Sequence, residues 1–316
     1  MMRYSLQPES RNEGVMRKNL ALLILLSYVL VAQAAPDDAA PYIQVEEAQV
    51  PVNLDKLFST TPRLKSTIAM IYDEQEQRPL YSKNADAIVP IASITKLMTA
   101  MVLLDAQLPL DEAITITAQD VDRYKGTRSR IRTGITLQRG ELLKLALMAS
   151  ENRAAAALAR TYPGGTAVTV AMMNAKAHNL GMWNTRFHDA TGLNSANVSS
   201  AGDLVKMLMA AQRYDLIHMY STASSHIVAK NGSRPLRFGN TNPLVKNASW
   251  NIDLSKTGYI SEAGRCLVMK ATIAQRPVII VLLDSWGKST RVGDANRIKK
   301  WMEASVTRAR KLVRRS

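Results

Sequence analysis

Between residues 93 and 104, Ile94, Leu97, Met98, Met101 and Leu104 recur at intervals of three and four. That period predicts a helix with one apolar side. Upstream, residues 66–72 read as a strand, 73–78 as a polar turn and 79–82 as a returning strand, a hairpin. Residues 140–160 are rich in Leu and Ala and predict helix. The string "SAGDLVKMLMAAQ" starts another helix, with Ser200 and Asp203 at the spacing of a capping box. Further on, "LVMKATIA" and "RPVIIVLLDS" predict consecutive strands that turn at 275–277. The second is apolar almost throughout, as expected of a strand covered on both faces. From Arg297 a basic helix is expected, with Ile298, Trp301, Met302, Val306, Ala309 and Leu312 as its apolar stripe. The order of strands, helices, strands and helix suggests a mixed α/β (α+β) architecture. Its sheet is assembled from both ends of the chain, with a helical subdomain at roughly 105–230 between them.

The N-terminal pattern is of another kind. Arg17 and Lys18 precede the apolar run "LALLILLSYVLV", and "AQA" follows with Ala32 and Ala34 at small-residue positions. Basic, apolar and cleavage regions in that order predict a secretory signal over 1–34, cut after Ala34. The run is short for a bilayer span. Met16, directly before Arg17, is an alternative start. Residues 35–62, rich in Pro, Ala and acids, read as a linker or arm. A catalytic domain is expected over 63–296 and the basic helix over 297–316.

Length and composition permit a real core: 316 residues, 47% of them hydrophobic. A net charge of +15 points to an anionic partner, either a membrane surface or a wall polymer. Nucleic acid is set aside because the chain is expected to be exported, and it carries no zinc spacing or aromatic ribonucleoprotein pattern. Cys266 is the only cysteine, so no internal disulfide forms, and it reads as a small buried residue. The four histidines, His178, His188, His218 and His226, have no zinc spacing, and no G-x-S-x-G elbow accompanies them; they read as ordinary surface or half-buried residues.

Ser93 and Lys96 stand three apart on the first predicted helix, so they share a face. A lysine amine beside a serine hydroxyl can act as its base if burial or nearby cations lower its pKa. The same pair also suits a capping serine and a snorkelling lysine. Two further motifs bear on that choice. Ser150, Glu151 and Asn152 interrupt an apolar helical run, and Lys256, Thr257 and Gly258 open a predicted strand, where a glycine would let a substrate backbone come close. S-x-x-K, S-x-N and K-T-G in this order are the motif set of β-lactamases and penicillin-binding proteins.

Longer strings carry a closer resemblance: "PIASITKLMTA", "LALMASENRAA", "FHDATGLNSANVSSAGDL" and "LSKTGYISEAGRCLV". From about Leu64 to Trp301 the chain resembles the low-molecular-mass penicillin-binding proteins, and among them the D-alanyl-D-alanine endopeptidases. The resemblance implies the penicillin-recognising serine acyltransferase fold, an antiparallel sheet flanked by helices beside a mostly helical subdomain. It implies Ser93 as the acylated nucleophile, Lys96 as its base and Ser150 as proton carrier to the leaving amine. Asn152 would hold the substrate's peptide group, Lys256 would set the electrostatics and Thr257 would bind a carboxylate. The N–H groups of Ser93 and Tyr259 would receive the oxyanion, and Arg265 would add positive charge. No cofactor or metal is implied. The expected substrate is the cross-linked peptide of peptidoglycan in the periplasm, with β-lactams as covalent inhibitors and the basic surface held to wall or membrane. The rival activities are a DD-carboxypeptidase, a β-lactamase and a non-catalytic wall-binding protein. The string Glu-x-x-Leu-Asn, which would give fast deacylation, is absent.

Overall fold

The two ends of the chain meet in one antiparallel sheet. The computed structural model describes residues 57–229 and 235–313, apart from the side chains of 310, 312 and 313. The predicted leader, the arm over 35–56, Arg314 and Arg315, and the side chains of Arg310 and Leu312 lie outside the described residues. β1 (Ile68–Asp73) and β2 (Arg78–Lys83) form the predicted hairpin. Among the described residues, three short strand pairs lie off the main sheet: β3 (Val89–Pro90) with β6 (Val198–Ser199), β4 (Ala113–Thr115) with β5 (Thr136–Gln138), and β7 (Ser225–Val228) with β8 (Leu236–Gly239). β9 (Asn251–Ile260), β10 (Gly264–Ile273) and β11 (Arg276–Ser285) complete the large sheet in the order β2-β1-β11-β10-β9. β9 is therefore an edge strand. Lys256, Thr257 and Gly258 stand in its second half and do not open it, because "NIDLS" already pairs with β10.

β11 explains the nearly continuous apolar run. Val278, Ile280 and Leu282 face one side of the sheet, and Ile279, Val281 and Leu283 the other, all fully buried. On the first side lies the C-terminal helix, through Ala295, Ile298, Trp301 and Met302. That helix runs over Thr290–Val313 and begins ahead of the predicted Arg297. Its first turns lack an apolar stripe, so periodicity does not reveal them. They are fixed by Asp294, whose carboxylate accepts from the N–H groups of Lys65 and Ser66 and from the Ser66 hydroxyl. Residues 57–62, the end of the segment read as an arm, lie against the same helix. Phe58 packs on the Trp301 ring at 4.9 Å, and Trp301 Nε1 donates to Thr60 O at 2.6 Å. Arg308 turns back to Thr60 and Ser305.

Among the described residues, six helices precede this one: α1 (Thr95–Asp105), α2 (Arg139–Met148), α3 (Asn152–Arg160), α4 (Gly165–Asn179), α5 (Ala201–Ala211) and α6 (Asp215–Ser221). The C-terminal helix is α7. α5 has half of the predicted capping box: Ser200 Oγ accepts from Asp203 N at 3.3 Å, while the Asp203 carboxylate accepts from Asn184 N and Thr185 Oγ1. It packs on β11 and β1, although its position in the sequence placed it within the helical subdomain. One apolar core runs from this face of the sheet through α1 into α2 and α3, so the helical region has no separate core of its own. The predicted helical stretch 140–160 is two helices, broken where the polar residues of the middle motif fall.

Candidate active site

α1 is buried on every side, not on one stripe: each residue from Thr95 to Leu103 is buried, with Leu104 half-buried. Ser93 sits in the 3-10 turn Ala92–Ile94 that leads into it. Lys96, one turn on, is 1% exposed. Its Nζ donates to Ser93 Oγ at 2.8 Å, Asn152 Oδ1 at 2.7 Å and Thr191 O at 2.6 Å, which uses all three ammonium protons. Burial pulls its pKa down to about 8, against the opposing pull of the Asp189 and Glu151 carboxylates. A snorkelling lysine would reach water; this one does not. On losing a proton the amine keeps two donors for Asn152 and Thr191 and turns a lone pair to Ser93.

The second motif forms the break between α2 and α3. Ser150 has φ +58°, a left-handed conformation that few side chains adopt, and Asn152 starts the next helix. The turn directs Asn152 Oδ1 to Lys96, while its Nδ2 donates to Thr127 Oγ1 at 3.0 Å. Ser150 Oγ accepts from Lys256 Nζ at 2.8 Å, and the same Nζ donates to Thr257 O at 2.8 Å. Lys256 is as buried as Lys96. Burial first, then the Lys96 and Arg291 cations, holds its pKa well below the lysine range. Thr257 Oγ1 is hydrogen-bonded to Thr241 Oγ1 at 2.7 Å. Glu151, between the two site residues of this turn, accepts from the Ser129 hydroxyl, and burial raises its pKa.

Two glycines shape the nucleophile's turn. A Cβ on Gly258 would lie 2.9 Å from Ile91 O and 3.1 Å from Ser93 N. The space that the sequence reading reserved for a substrate is taken there by the chain's own backbone. A Cβ on Gly192 (φ +81°) would meet Ala92 O at 2.0 Å and Ser93 N at 2.8 Å. Both glycines therefore let their segments approach the Ala92–Ser93 backbone more closely than any side chain would allow. Ala92 itself has φ +48°, strain held in place by the contacts around it.

At the far end of β9, Tyr259 is exposed, and the Arg265 guanidinium stacks on its ring at 4.5 Å. Arg291, at the start of α7, was not singled out from sequence. Its Nη1 donates to Gly258 O at 3.2 Å, and burial together with the Arg265 cation lowers its pKa. Periodicity gave no signal for it, because the helix was expected to begin later. The loop that carries Asp189, Thr191 and Asn197 lies in one of the strings that bear the resemblance, but dense turn-forming residues give no local signal of what these three side chains bond to. The four histidines are exposed or half-buried, as expected. Cys266 is fully buried, and burial raises its thiol pKa to about 11.

A hydroxyl against a desolvated amine, opposite a second serine held by a second buried amine, is equipment for acyl transfer. Carried on an antiparallel sheet with helices on both faces, it places the molecule among the penicillin-recognising serine DD-peptidases. More particularly, the chain belongs to the D-alanyl-D-alanine carboxypeptidase family of serine peptidases, whose model matches residues 56–287. It is 49% identical to the D-alanyl-D-alanine endopeptidase of Pseudomonas aeruginosa over 247 residues, 78% of this chain and 80% of that one. It is 47% identical to the Escherichia coli D-alanyl-D-alanine endopeptidase over 246 residues, 78% and 79% of the two chains. Among solved structures it is similar to a Streptomyces DD-transpeptidase. There the TM-score is 0.71 at 30% identity, covering 78% of this chain and 99% of that one.

Proposed function

We propose that this protein is a serine D-alanyl-D-alanine endopeptidase that hydrolyses the peptide cross-links of peptidoglycan through an acyl-enzyme on Ser93. The observation that carries the chemistry is the 2.8 Å contact between Ser93 Oγ and a Lys96 amine buried out of reach of water. The choice of cross-link over terminal residue is supported by the two endopeptidases to which the chain is 49% and 47% identical over its catalytic region. Ser93 Oγ attacks the D-alanyl carbonyl carbon and its proton passes to Lys96. The oxyanion is received by the N–H groups of Ser93 and Tyr259. Collapse expels the amine, which takes a proton through Ser150, oriented by Lys256. Water then cleaves the ester and restores Ser93. Asn152 holds the substrate's peptide group, while Thr257, with Arg265 and Arg291 behind it, meets a carboxylate. Digestion of purified cross-linked muropeptides is the test. Conversion of dimers to monomers is expected; loss of a terminal D-alanine alone would make the protein a carboxypeptidase.

Penicillins should acylate the same serine. The sequence lacks the Glu-x-x-Leu-Asn string that supplies a base for attack on the penicilloyl ester, and general-base help is commonly worth about 10²–10⁴-fold. The adduct should therefore persist for many minutes in intact-protein mass spectra and be absent from Ser93→Ala. Rapid return to the unmodified mass would indicate a β-lactamase instead.

Export to the periplasm belongs to the same proposal, supported by the order of basic, apolar and cleavage regions before residue 35. So does electrostatic attachment to anionic wall or membrane, supported by the net charge of +15, of which the leader over 1–34 holds only +2. Cosedimentation with sacculi and anionic vesicles should weaken as salt rises; binding indifferent to salt would count against it.

A further inference from the structure

The carbonyl that receives the Lys96 ammonium belongs to Thr191, and Thr191 is held by a carboxylate. Asp189 Oδ2 accepts from the N–H of Thr191 at 3.2 Å and from its hydroxyl, and Oδ1 accepts from Gly192 N at 3.0 Å. Asn197 Nδ2 donates to Asp189 Oδ1 at 2.8 Å and to Thr95 Oγ1 at 3.0 Å, and Thr95 Oγ1 donates to Ala92 O at 2.8 Å. Asn197 O accepts from Ile91 N at 3.0 Å. One carboxylate thus fixes the peptide that binds the amine and the glycine that abuts the nucleophile's turn.

We propose that Asp189 is a positioning residue for Lys96, fixing the Thr191 carbonyl and presenting a negative charge to the ammonium across one peptide. This rests on the reading of Lys96 as the base. The other charged groups facing Lys96 are Glu151, from the turn between α2 and α3, and Lys256, from β9. Asp189 is the larger of the two acidic influences that oppose the fall in Lys96 basicity. Without its charge the amine becomes neutral at lower pH; without its hydrogen bonds the carbonyl loses its place.

The two effects separate experimentally. The rate constant for acylation by a fluorescent penicillin is measured against pH for the full protein and for Asp189→Asn, Asp189→Ala and Asn197→Ala. Melting temperatures are recorded for each. Asp189→Asn should move the acid-side inflection down by about half to one pH unit, with the plateau within a few-fold of the parent. Asp189→Ala should show that shift and a plateau about tenfold lower. Asn197→Ala keeps the charge, so it should lower the plateau without moving the inflection. If both Asp189 variants keep the parent's inflection, Asp189 is only a structural residue and the proposal fails. If the parent itself shows no inflection near the Lys96 value, the reading of Lys96 fails and takes the proposal with it.

Discussion

The two faces of the large sheet differ in what they bury. Against α7 the sheet buries Leu267, Met269, Ile280 and Leu282 beneath Ile298, Trp301 and Met302, with one buried carboxylate, Asp294, hydrogen-bonded at the start of the helix. Against α1 the same strands share a core with two buried lysines and with non-glycine residues at positive φ, Ala92 and Ser150. Burying apolar area stabilises the first face by about 1.5–3 kcal/mol for each large side chain. On the second, desolvating an ammonium opposes folding, and its hydrogen bonds offset part of that cost. Both buried lysines lie on the second face, where lowered lysine basicity is what acyl transfer needs.

That contrast can be broken from either side. The largest effect should come from Lys96→Met, which removes the base and lowers the acylation rate by about 10²–10⁴-fold. Because it also removes a buried ammonium, its unfolding free energy should stay level or rise by roughly 1–3 kcal/mol. A large drop in the melting temperature would show that Lys96 is structural. Met302→Ala, on the other face, should have the opposite signature. It should lose about 2–5 kcal/mol in denaturant titration while the acylation rate of the folded fraction is unchanged. Coupled losses of rate and stability would mean that the faces are not independent.

Gly192→Ala sharpens the comparison within the reactive face. The new Cβ must displace the backbone at Ala92 and Ser93, and a displacement of about 1 Å at a reacting group costs on the order of 10²-fold. A variant that labels at the parent's rate would show that the turn yields without consequence.

The smallest effect is one of pH. With Lys96 at about 8, roughly one amine in ten is neutral at pH 7, so acylation should rise about tenfold to a plateau at higher pH. Stability should move in the same direction. The unfolded chain's lysine, at 10.5, binds a proton more tightly than the folded one, so between about 8 and 10.5 the unfolded state carries the extra proton. The contribution of Lys96 to stability therefore rises with pH through that window. A rate that falls as pH rises from 7 to 9 would remove Lys96 from the role of base.

The sequence by itself determined the regular elements whose patterning is local. The hairpin of β1 and β2, the doubly covered strand β11 and the capped α5 all follow from side-chain period and turn chemistry within a dozen residues. The order of the three motifs also singled out Ser93, Lys96, Ser150, Asn152 and Lys256, side chains that the fold brings into contact. What tertiary structure alone decided is how they meet. Lys96 is desolvated because α1 is enclosed on all sides, whereas its own pattern suggested one apolar stripe. Gly258 is required by a neighbouring turn that its own strand does not reveal. Arg291, Thr191, Asp189 and Asn197 come from segments without periodicity. Their significance lies in hydrogen bonds to residues distant in the chain, and no local pattern encodes a partner that only folding brings near.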